Sequence, residues 1–468
     1  MIRKIKLDFV IWSCLQILAL AVTLFALGSV VPAEKSSIGW LPLGYMLVNT
    51  LFFCNFNQFY YNSSKVLIFT MTFIRLVVLP GLYLPCVDLQ LFKGHASVIN
   101  SFESATYLML YEYFGLHLMI FIYDRFLSKK RAVCKNTGKY KNYCGYILLF
   151  IMAYLLLVIL FFPERLSTYK TILTLTDPEF TTAQKLELAI GGLKRSLFTL
   201  FNFLLQIFRI LGPVYVLEWI HRKKPQSVLT TWVLVLSCVL QFFCLTSTFA
   251  EALVSCLTIS LAYLYLYPTH IKRVFFSFSV FCIGMGGVFF LVRFLIMPDT
   301  MYNSTMDTII HFAGKVNAYF TGIDNVAAIF NIPDGHQLET LKVGLLGAIP
   351  FNTTLMGNLG NRLQYYFNFY NMGMGNIPPT IGSGYYFLGA PLAPIFTMLF
   401  VGLSLKYNDW AKTASNVLKQ ASLQFCSIVF ALGTVMYGAA ITMVLYVSWG
   451  IPMICLTAFA IREQRKKL

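Results

Sequence analysis

Apolar runs of about 20 residues, repeated along most of the chain, limit what this sequence can fold into. A helix needs roughly 20 apolar residues to cross the hydrocarbon core of a bilayer, and the pattern predicts twelve such helices. The predicted spans are approximately 8–30, 39–59, 66–85, 104–124, 144–162, 196–220, 228–247, 251–268, 274–296, 381–405, 420–437 and 440–461. The first one has no small-residue cleavage site after it, so we expect it to stay as a membrane helix.

The composition excludes the main classes of soluble protein. Hydrophobic residues make up 58% of the 468 residues and charged residues only 12%, whereas a soluble domain has about 25% charged residues. A soluble enzyme and a disordered scaffold are therefore ruled out. A disulfide framework is not indicated either, because most of the 11 cysteines lie within apolar runs. The expected fold class is an all-α, polytopic integral membrane protein.

The positive charge predicts the orientation of the chain. The net charge is +17, and the basic residues cluster between apolar runs, at 3–6, 129–131, 222–224 and 272–273 and in the tail. Short basic connections of this kind mark the cytoplasmic side of a membrane protein. We therefore expect both termini to be cytoplasmic, and we expect no nucleic-acid partner.

One long connection divides the sequence into three parts. Residues 1–296 would hold helices one to nine, residues 297–380 a large extracytoplasmic loop, and residues 381–468 helices ten to twelve with a cytoplasmic tail. Loops of this length are usually functional. The loop is rich in Asn, Gly, Tyr and Phe, so it is expected to be folded, and the spacing in 301–320 predicts an amphipathic helix at the membrane surface.

Ionisable residues within the predicted spans are functional candidates, because a charge in the bilayer core is costly unless it is paired or faces water. They are Arg75, Glu112, Arg209, Glu218, Glu251 and Arg293, with His117 as a further polar member. For Glu218 we expect an exposed ion pair with Arg222, four residues later. Arg293, at the outer end of the ninth span, either snorkels to the interface or binds an anionic group such as phosphate.

The large loop supplies groups that could act in acid–base chemistry and in sugar binding. Its titratable side chains are those of His311, His336, Asp299, Asp307, Asp324, Asp334 and Glu339, any of which could serve as a general base. Tyrosines and asparagines in and after the loop suit a carbohydrate surface, although interface belts also use aromatic residues. The sequence has no HExxH, GxSxG or GxxxxGK[ST] motif, so zinc protease, serine hydrolase and P-loop chemistry have no support.

Residues 290–405 carry a family resemblance. Arg293 precedes a stretch leading to Asn317-Ala318-Tyr319-Phe320-Thr321-Gly322, and the loop closes with Asn376-Ile377-Pro378-Pro379-Thr380-Ile381-Gly382-Ser383-Gly384. With about a dozen spans and one large late loop, this arrangement resembles the bacterial O-antigen and capsule repeat-unit polymerases (the Wzy type). The resemblance implies a membrane-embedded, metal-independent glycosyltransferase without a cofactor. It also implies a location in the bacterial inner membrane.

The resemblance further implies a substrate and site residues. The substrates would be undecaprenyl-pyrophosphate-linked oligosaccharides at the outer face, with a chain-length regulator and a flippase as further partners. The implied residues are catalytic His311, His336 and Asp324, pyrophosphate-binding Arg293, Arg362 and Arg209, and sugar-binding Tyr319, Asn325 and Tyr385.

Two other functions fit parts of the sequence. A lipid-linked oligosaccharide flippase or other transporter also has about twelve spans; Arg75 and Arg209 favour it, and the long loop speaks against it. An O-antigen ligase shares the topology and the loop but uses a different acceptor.

Overall fold

The structure of this protein is a computed structural model that describes fifteen α-helices. It covers residues 2–28, 33–56, 59, 62–83, 98, 100–128, 140–163, 192–225, 228–241, 249–272, 274, 319–332, 341 and 378–463. Several predictions lie outside these residues: the ninth span at 274–296 apart from its first residue, most of the loop at 163–195, the amphipathic helix before residue 319, and the site residues Arg293, His311, His336 and Arg362.

The described residues are almost entirely helical. The α-helices are α1 (Ile2–Gly28), α2 (Trp40–Leu51), α3 (Ser63–Phe73), α4 (Leu79–Tyr83), α5 (Phe102–Ile122), α6 (Cys144–Phe161), α7 (Gly192–Lys223), α8 (Leu229–Leu240), α9 (Phe249–Leu266), α10 (Ile323–Ile329), α11 (Thr380–Leu388), α12 (Ile395–Lys412), α13 (Val417–Gly433), α14 (Ala439–Leu445) and α15 (Ile451–Ala460). Two three-residue strands, β1 (Tyr140–Asn142) and β2 (Ile461–Glu463), pair antiparallel.

Shorter helical turns connect several of these helices. Wide π-helical turns join α3 to α4 (Ile74–Val78), extend α5 (Tyr123–Leu127) and join α14 to α15 (Tyr446–Gly450). Tight 3₁₀ turns occupy Ala33–Gly39, Phe53–Phe56, Pro268–His270 and Ala390–Leu392. A π-helical turn inserts one residue into a helix and is frequent at functional sites.

The helices confirm the class of membrane protein that the apolar runs predict. Among the described residues, seven helical stretches are long and apolar enough to cross a membrane: Leu7–Gly28, Ser63–Leu82, Phe102–Leu127, Cys144–Phe161, Ser196–Lys223, Ala390–Lys412 and Ala439–Ala460. Three further apolar helices are shorter, at Leu229–Leu240, Glu251–Leu266 and Val417–Gly433. The chain is an all-α membrane protein in its described parts, and the count of twelve spans stays a prediction.

The predicted tenth span, 381–405, is displaced in the structure. Helix α11 ends at Leu388, and Gly389 follows with a φ of 80°, a left-handed conformation that favours glycine. The long apolar stretch Ala390–Lys412 then begins with a 3₁₀ turn that contains Pro391. The hydropathy of 381–405 is continuous, so only the backbone break at Gly389 separates a short helix from the spanning one.

The chain forms two compact units. Unit 1 comprises residues 1–130, 299–408 and 429–447, and unit 2 comprises 131–298, 409–428 and 448–468. In unit 1, α5 lies at the centre: α2 and α10 pack against it, and Tyr45 of α2 stacks on Tyr113 of α5 with ring centroids 5.2 Å apart. In unit 2, α7 packs against α6, α8 and α9.

Close helix packing in unit 1 gives a first testable prediction. A Cβ on Gly384 of α11 would lie 1.9 Å from the backbone oxygen of Ala393, so Gly384→Ala must move the backbone. We expect this change to lower the free energy of unfolding by about 1–3 kcal/mol. Gly212→Ala is the control, because its new Cβ contacts only Phe208, at an ordinary distance of 3.5 Å. Alanine has a higher helix propensity than glycine, so this variant should be as stable as the wild type or more stable by up to about 1 kcal/mol.

The measurement is the thermal unfolding of both purified variants in detergent. A Gly384→Ala protein as stable as the wild type would show that α11 does not pack against the Ala390–Leu392 turn as described. The close approach also explains the glycine-rich sequence here: Gly382 and Gly384 lie within a helix and allow tight packing, so they do not form a phosphate-binding turn.

Candidate functional site

A buried ion pair lies at the centre of unit 1. Arg75, on the π-helical turn after α3, donates from Nη1 to Oε2 of Glu112 on α5 at 2.6 Å. The two side chains are each only 4% exposed. Taking both charges out of water costs several kcal/mol, which is offset only when further hydrogen bonds satisfy the remaining polar atoms. The hydrogen bonds around the two side chains therefore show which segments of the chain the ion pair stabilises.

Two further segments are bound to this pair. Thr397 of α12 donates its hydroxyl to Oε1 of Glu112 at 2.6 Å, and Arg75 donates from Nε to the backbone oxygen of Thr321 at 3.0 Å. Thr321 precedes α10, in the part of the chain predicted to be an outward loop. The ion pair therefore connects the α3 and α5 stretches with α12 and with the turn before α10.

Thr321 has an uncommon backbone conformation. Its φ of 43° is the one positive value among the described non-glycine residues, and a β-branched side chain pays a steric cost there. The residue is fully buried and held from two sides: its oxygen accepts from Arg75, and its hydroxyl donates to the backbone oxygen of Val435 at 2.7 Å. Strain of this kind persists where the surroundings fix it, often at functional sites.

Val435 belongs to a break between two helices. Helix α13 ends at Gly433 and α14 begins at Ala439, so Thr434–Gly438 is non-helical and buried. Thr380, at the start of α11, donates its hydroxyl to the backbone oxygens of Gly433 (2.6 Å) and Tyr437 (2.8 Å). Non-helical backbone at membrane depth is tolerated only where protein or water satisfies it, and here threonine hydroxyls do so.

These groups lie deep within the unit. Lys65, at the start of α3, forms an ion pair of 2.5 Å with Asp124 at the end of the α5 stretch. Arg75 is ten residues further along, or about 15 Å at 1.5 Å per residue, which is about half of a 30 Å hydrocarbon core. We call Arg75, Glu112, Thr321, Thr397 and the break Thr434–Gly438 the mid-depth polar layer.

A small cavity borders this layer. It is lined by Thr72, Arg75, Leu76, Met109, Glu112, Tyr113, Leu116, Thr434 and Val435, and its volume is about 10 Å³, the size of about one water molecule. Within the described part of the chain, Nη2 of Arg75 is buried without a hydrogen-bond partner. The cavity wall therefore offers one donor that could bind an acceptor oxygen.

The segment 319–332 enters unit 1 from its opposite end. Asn331, just after α10, donates to the hydroxyl of Ser101 at the start of α5 (3.4 Å), whereas Thr321 lies at the level of Glu112. All seven residues of α10 are buried. This part of the predicted loop is a buried segment, which we call the α10 segment: it extends from one end of α5 to the mid-depth polar layer. The side of the membrane on which it lies stays a prediction.

Four of the predicted site residues lie in or beside this segment. Asp324 and Asn325 are buried in α10, at 7% and 0% exposure. Tyr319 is half-buried just before the strained Thr321, and Tyr385 of α11 is half-buried with its ring centroid 4.8 Å from that of Phe330. The structure thus brings Asp324 and the sugar-binding candidates into one unit. Their roles stay predictions.

Arg209 lies in unit 2 and already has a carboxylate partner. It is 1% exposed, donates from Nη1 to Oε2 of Glu251 at 3.1 Å, and lies 5.8 Å from the centroid of the Trp449 ring. Its backbone oxygen accepts from the side chain of Gln241. These contacts fix the side chain of Arg209 within unit 2. Its predicted contact with pyrophosphate stays a prediction.

Two other intramembrane predictions have clear outcomes. Glu218 pairs with Arg222 at 2.7 Å as expected, but the prediction that it is exposed was wrong: it is 5% exposed and also accepts from Asn416 at 2.8 Å. His117 is buried, and its partner is Asn55 rather than Glu112: Nδ1 of His117 lies 3.1 Å from the side-chain nitrogen of Asn55. The described residues contain no group of three His, Cys, Asp or Glu side chains that could hold a metal ion.

Sequence reasoning marked Arg75 and Glu112 but missed the rest of the mid-depth polar layer. Thr321 and Thr397 carry no signal in the sequence, because isolated threonines occur throughout apolar helices. The break at Thr434–Gly438 does carry a sequence signal, since Gly433 precedes it and Gly438 ends it, and glycines often mark the end of a helix.

No protein-family model, no curated protein and no solved structure matches this chain. Its function is therefore inferred from the residues, from their geometry and from the family resemblance of residues 290–405.

Proposed function

We propose that this protein is a membrane-embedded glycosyltransferase of the repeat-unit polymerase type. It would join undecaprenyl-pyrophosphate-linked oligosaccharide units into O-antigen or capsular polysaccharide at the outer face of the bacterial inner membrane. In this proposal the chain crosses the membrane twelve times with both termini in the cytoplasm. A chain-length regulator and a flippase would be its partners.

The observation that carries the proposal is the burial of the α10 segment, 319–332, within unit 1. Both substrates of a polymerase are lipid-anchored, so their reacting ends remain near the membrane surface. A site built on a segment that enters the helical bundle can receive such substrates without removing their lipids from the bilayer. The segment also holds Asp324 and Asn325, and Arg75 fixes its inner end at Thr321.

The proposed reaction needs a base and a stabilised leaving group. A sugar hydroxyl of the incoming unit attacks the anomeric carbon of the growing chain, and the bond from that carbon to the pyrophosphate oxygen breaks. The hydroxyl proton passes to a base, for which Asp324, His311 and His336 are the candidates. The lipid pyrophosphate leaves with the bonding electrons, and the guanidinium groups of Arg293 and Arg362 stabilise its charge.

The charges of unit 2 support the proposed orientation. The start of α6, the end of α7 and the α12–α13 turn meet at one end of the unit: Glu218 lies near Cys144 and accepts from Asn416. Tyr265, near the end of α9, donates to the backbone oxygen of Ala414 in the same turn. Each of these helix ends is cytoplasmic in the twelve-span arrangement, and the basic runs 222–224 and 272–273 follow two of them.

A transporter is the second candidate, and one observation favours it. Buried non-helical backbone, such as the connection between α13 and α14, also lines the substrate sites of transporters. Arg75 and Arg209 give the transporter no further support. Both are buried and paired with carboxylates, so they do not line a solvated transport pathway. A ligase would use the same reaction with a different acceptor.

Deleting the gene and examining the surface polysaccharide on a gel tests the proposal. A polymerase deletion converts the ladder into a single repeat unit. Loss of all repeats with accumulation of lipid-linked polymer would indicate a ligase, and single lipid-linked units trapped at the inner face would indicate a flippase. An unchanged ladder would contradict all three.

Arg293→Ala tests the pyrophosphate contact. We expect polymer to be abolished while the protein is inserted at the normal level, because the leaving group loses its counter-charge. Arg125→Ala is a suitable control, since this arginine lies in the exposed part of the Tyr123–Leu127 turn. The measurement is the polysaccharide gel together with a membrane immunoblot; near-normal polymer from Arg293→Ala would remove Arg293 from the site.

Cysteine labelling tests the proposed side of the loop. His311→Cys and His336→Cys should react with a membrane-impermeant thiol reagent in intact cells, because the loop is proposed to face outward. The wild type, whose own cysteines mostly lie in apolar runs, measures the background. Labelling that needs cell lysis would place the loop in the cytoplasm.

A further inference from the structure

A ring cluster joins three helix ends in unit 2. The ring of His221, near the end of α7, packs edge-on against Tyr267 with centroids 4.8 Å apart, and Tyr267 stacks on His270 at 5.2 Å. Nδ1 of His270 lies 2.9 Å from the hydroxyl of Tyr263, which lies 3.1 Å from the hydroxyl of Thr231 on α8. The ends of α7 and α9 and the start of α8 are therefore fixed to one another.

Lysines follow these rings on both sides. Lys223 is two residues beyond His221 and Lys272 two residues beyond His270, and both are exposed. Lys224, also exposed, extends the cluster. Because the rings hold the two chain segments together, the flexible side chains of Lys223 and Lys272 can reach a common anion. We call Lys223, Lys224 and Lys272 the basic cluster.

The nearby carboxylate does not neutralise this charge. Glu218, one turn before His221, is 5% exposed and is bonded to Arg222 and Asn416. Glu251 lies at the other end of α9, where it pairs with Arg209. Among the described residues of α7, α8 and α9, Glu218 and Glu251 are the only acidic ones. Asp409, just before the α12–α13 turn, pairs with Lys412 at 3.5 Å, so the basic cluster keeps its positive charge.

The surface beside the basic cluster is apolar and exposed. Trp219 of α7 is 49% exposed and Trp232 of α8 is 67% exposed, and the exposed Val228 and Leu229 lie between them in sequence. Nζ of Lys223 lies 4.0 Å from the centroid of the Trp219 ring. Large exposed aromatic side chains at the end of a spanning helix mark the level of the lipid headgroups, so Lys223 lies at that level on the perimeter of the unit.

We propose that the basic cluster binds the phosphodiester headgroup of an anionic phospholipid, phosphatidylglycerol being the simplest example. The lysines contact the phosphate oxygens, and the acyl chains lie against Trp219 and the apolar start of α8. A soluble acidic partner would not need the lipid-facing side chains that border the cluster. The site is independent of the proposed glycosyl transfer and requires only that the chain spans a membrane.

The test is the binding of fluorescently labelled phosphatidylglycerol to the purified full-length protein in neutral detergent micelles. Lysines near an anionic lipid surface each contribute about 1 kcal/mol, a factor of about five. Lys223→Gln/Lys272→Gln should therefore raise the apparent Kd by about fivefold for each lysine removed. The matched control, Lys194→Gln/Arg195→Gln, removes the same charge at the start of α7, about 40 Å along the helix from Lys223 at 1.5 Å per residue. It should change the Kd by less than about twofold.

Further measurements keep the result interpretable if the glutamine variant folds poorly. Lys223→Arg/Lys272→Arg should bind like the wild type, and wild-type affinity should fall with added salt. An unchanged Kd in the glutamine variant would overturn the proposal, and so would equal weakening in the control, which would indicate a diffuse positive surface. Displacement of the lipid by soluble glycerol phosphate would also overturn it, because the site would then recognise phosphate without a lipid.

Discussion

Arg75→Met should lower the free energy of unfolding by about 3–5 kcal/mol, the largest stability effect that we expect in this protein. The change leaves the buried carboxylate of Glu112 without its counter-charge and removes the hydrogen bond to Thr321 that holds the strained turn. Chemical unfolding of the purified protein in mixed micelles measures the difference.

The control is an ion pair of the same kind at the surface. Lys412 and Asp409 are 3.5 Å apart at 41% and 29% exposure, and exposed pairs contribute about 0–1 kcal/mol. Lys412→Met should therefore have little effect. An Arg75→Met protein no less stable than Lys412→Met would mean that the ion pair of Arg75 and Glu112 is not buried as described.

A double variant separates the charge from the structural contacts. Arg75→Met/Glu112→Gln removes both charges, while the amide oxygen of the new side chain can still accept from Thr397. We expect it to be more stable than Arg75→Met alone, because no unpaired charge stays buried. In the proposed enzyme Arg75 would be a positioning residue that acts through Thr321.

Asp324→Asn should reduce polymer formation by about 10²–10⁴-fold, the usual contribution of a general base. Asp324 lies on the buried helix α10, and the change keeps its size while removing its ability to take a proton. The measurement is the rate of polymer formation in membranes supplied with lipid-linked repeat units. Asp409→Asn, which alters a half-buried carboxylate on α12 that pairs with Lys412, should leave this rate unchanged.

A purely structural role for Asp324 predicts a different pattern. Because the residue is buried, the loss of a structural contact would lower the unfolding midpoint and the inserted amount along with the activity. A general base instead gives a stable protein, a low rate and a lost ionisation in the pH–rate profile, with partial rescue by Asp324→Glu. A normal rate in Asp324→Asn would leave His311 and His336 as the candidate bases.

The two predictions test different levels of the proposal. Arg75→Met tests whether the α10 segment is anchored in the mid-depth polar layer, and this test is independent of the reaction. Asp324→Asn tests the chemistry proposed for the same segment. A stable but inactive Asp324→Asn together with an unstable Arg75→Met would support a site that is built on the segment and held in place by the ion pair.

The membrane class was determined by the sequence alone. Crossing a bilayer depends on the composition of about 20 consecutive residues, so the apolar runs identify most described helices from local information. The cost of burying a charge is local too, which is why Arg75, Glu112 and Arg209 were recognised as exceptional. Hydropathy does not determine where a helix ends: the shift of the tenth span depends on the left-handed backbone conformation of one residue, Gly389.

Only the tertiary structure decided which groups meet. Glu112 is 37 positions from Arg75, and Thr321 is 246 positions from it, so no window of sequence contains the mid-depth polar layer. The predicted loop also shows no local sign that 319–332 is buried, because its burial depends on the groove that α5 and its neighbours provide. Hydropathy determines that a segment leaves water, and the partners for its polar atoms are determined by the packing of distant helices.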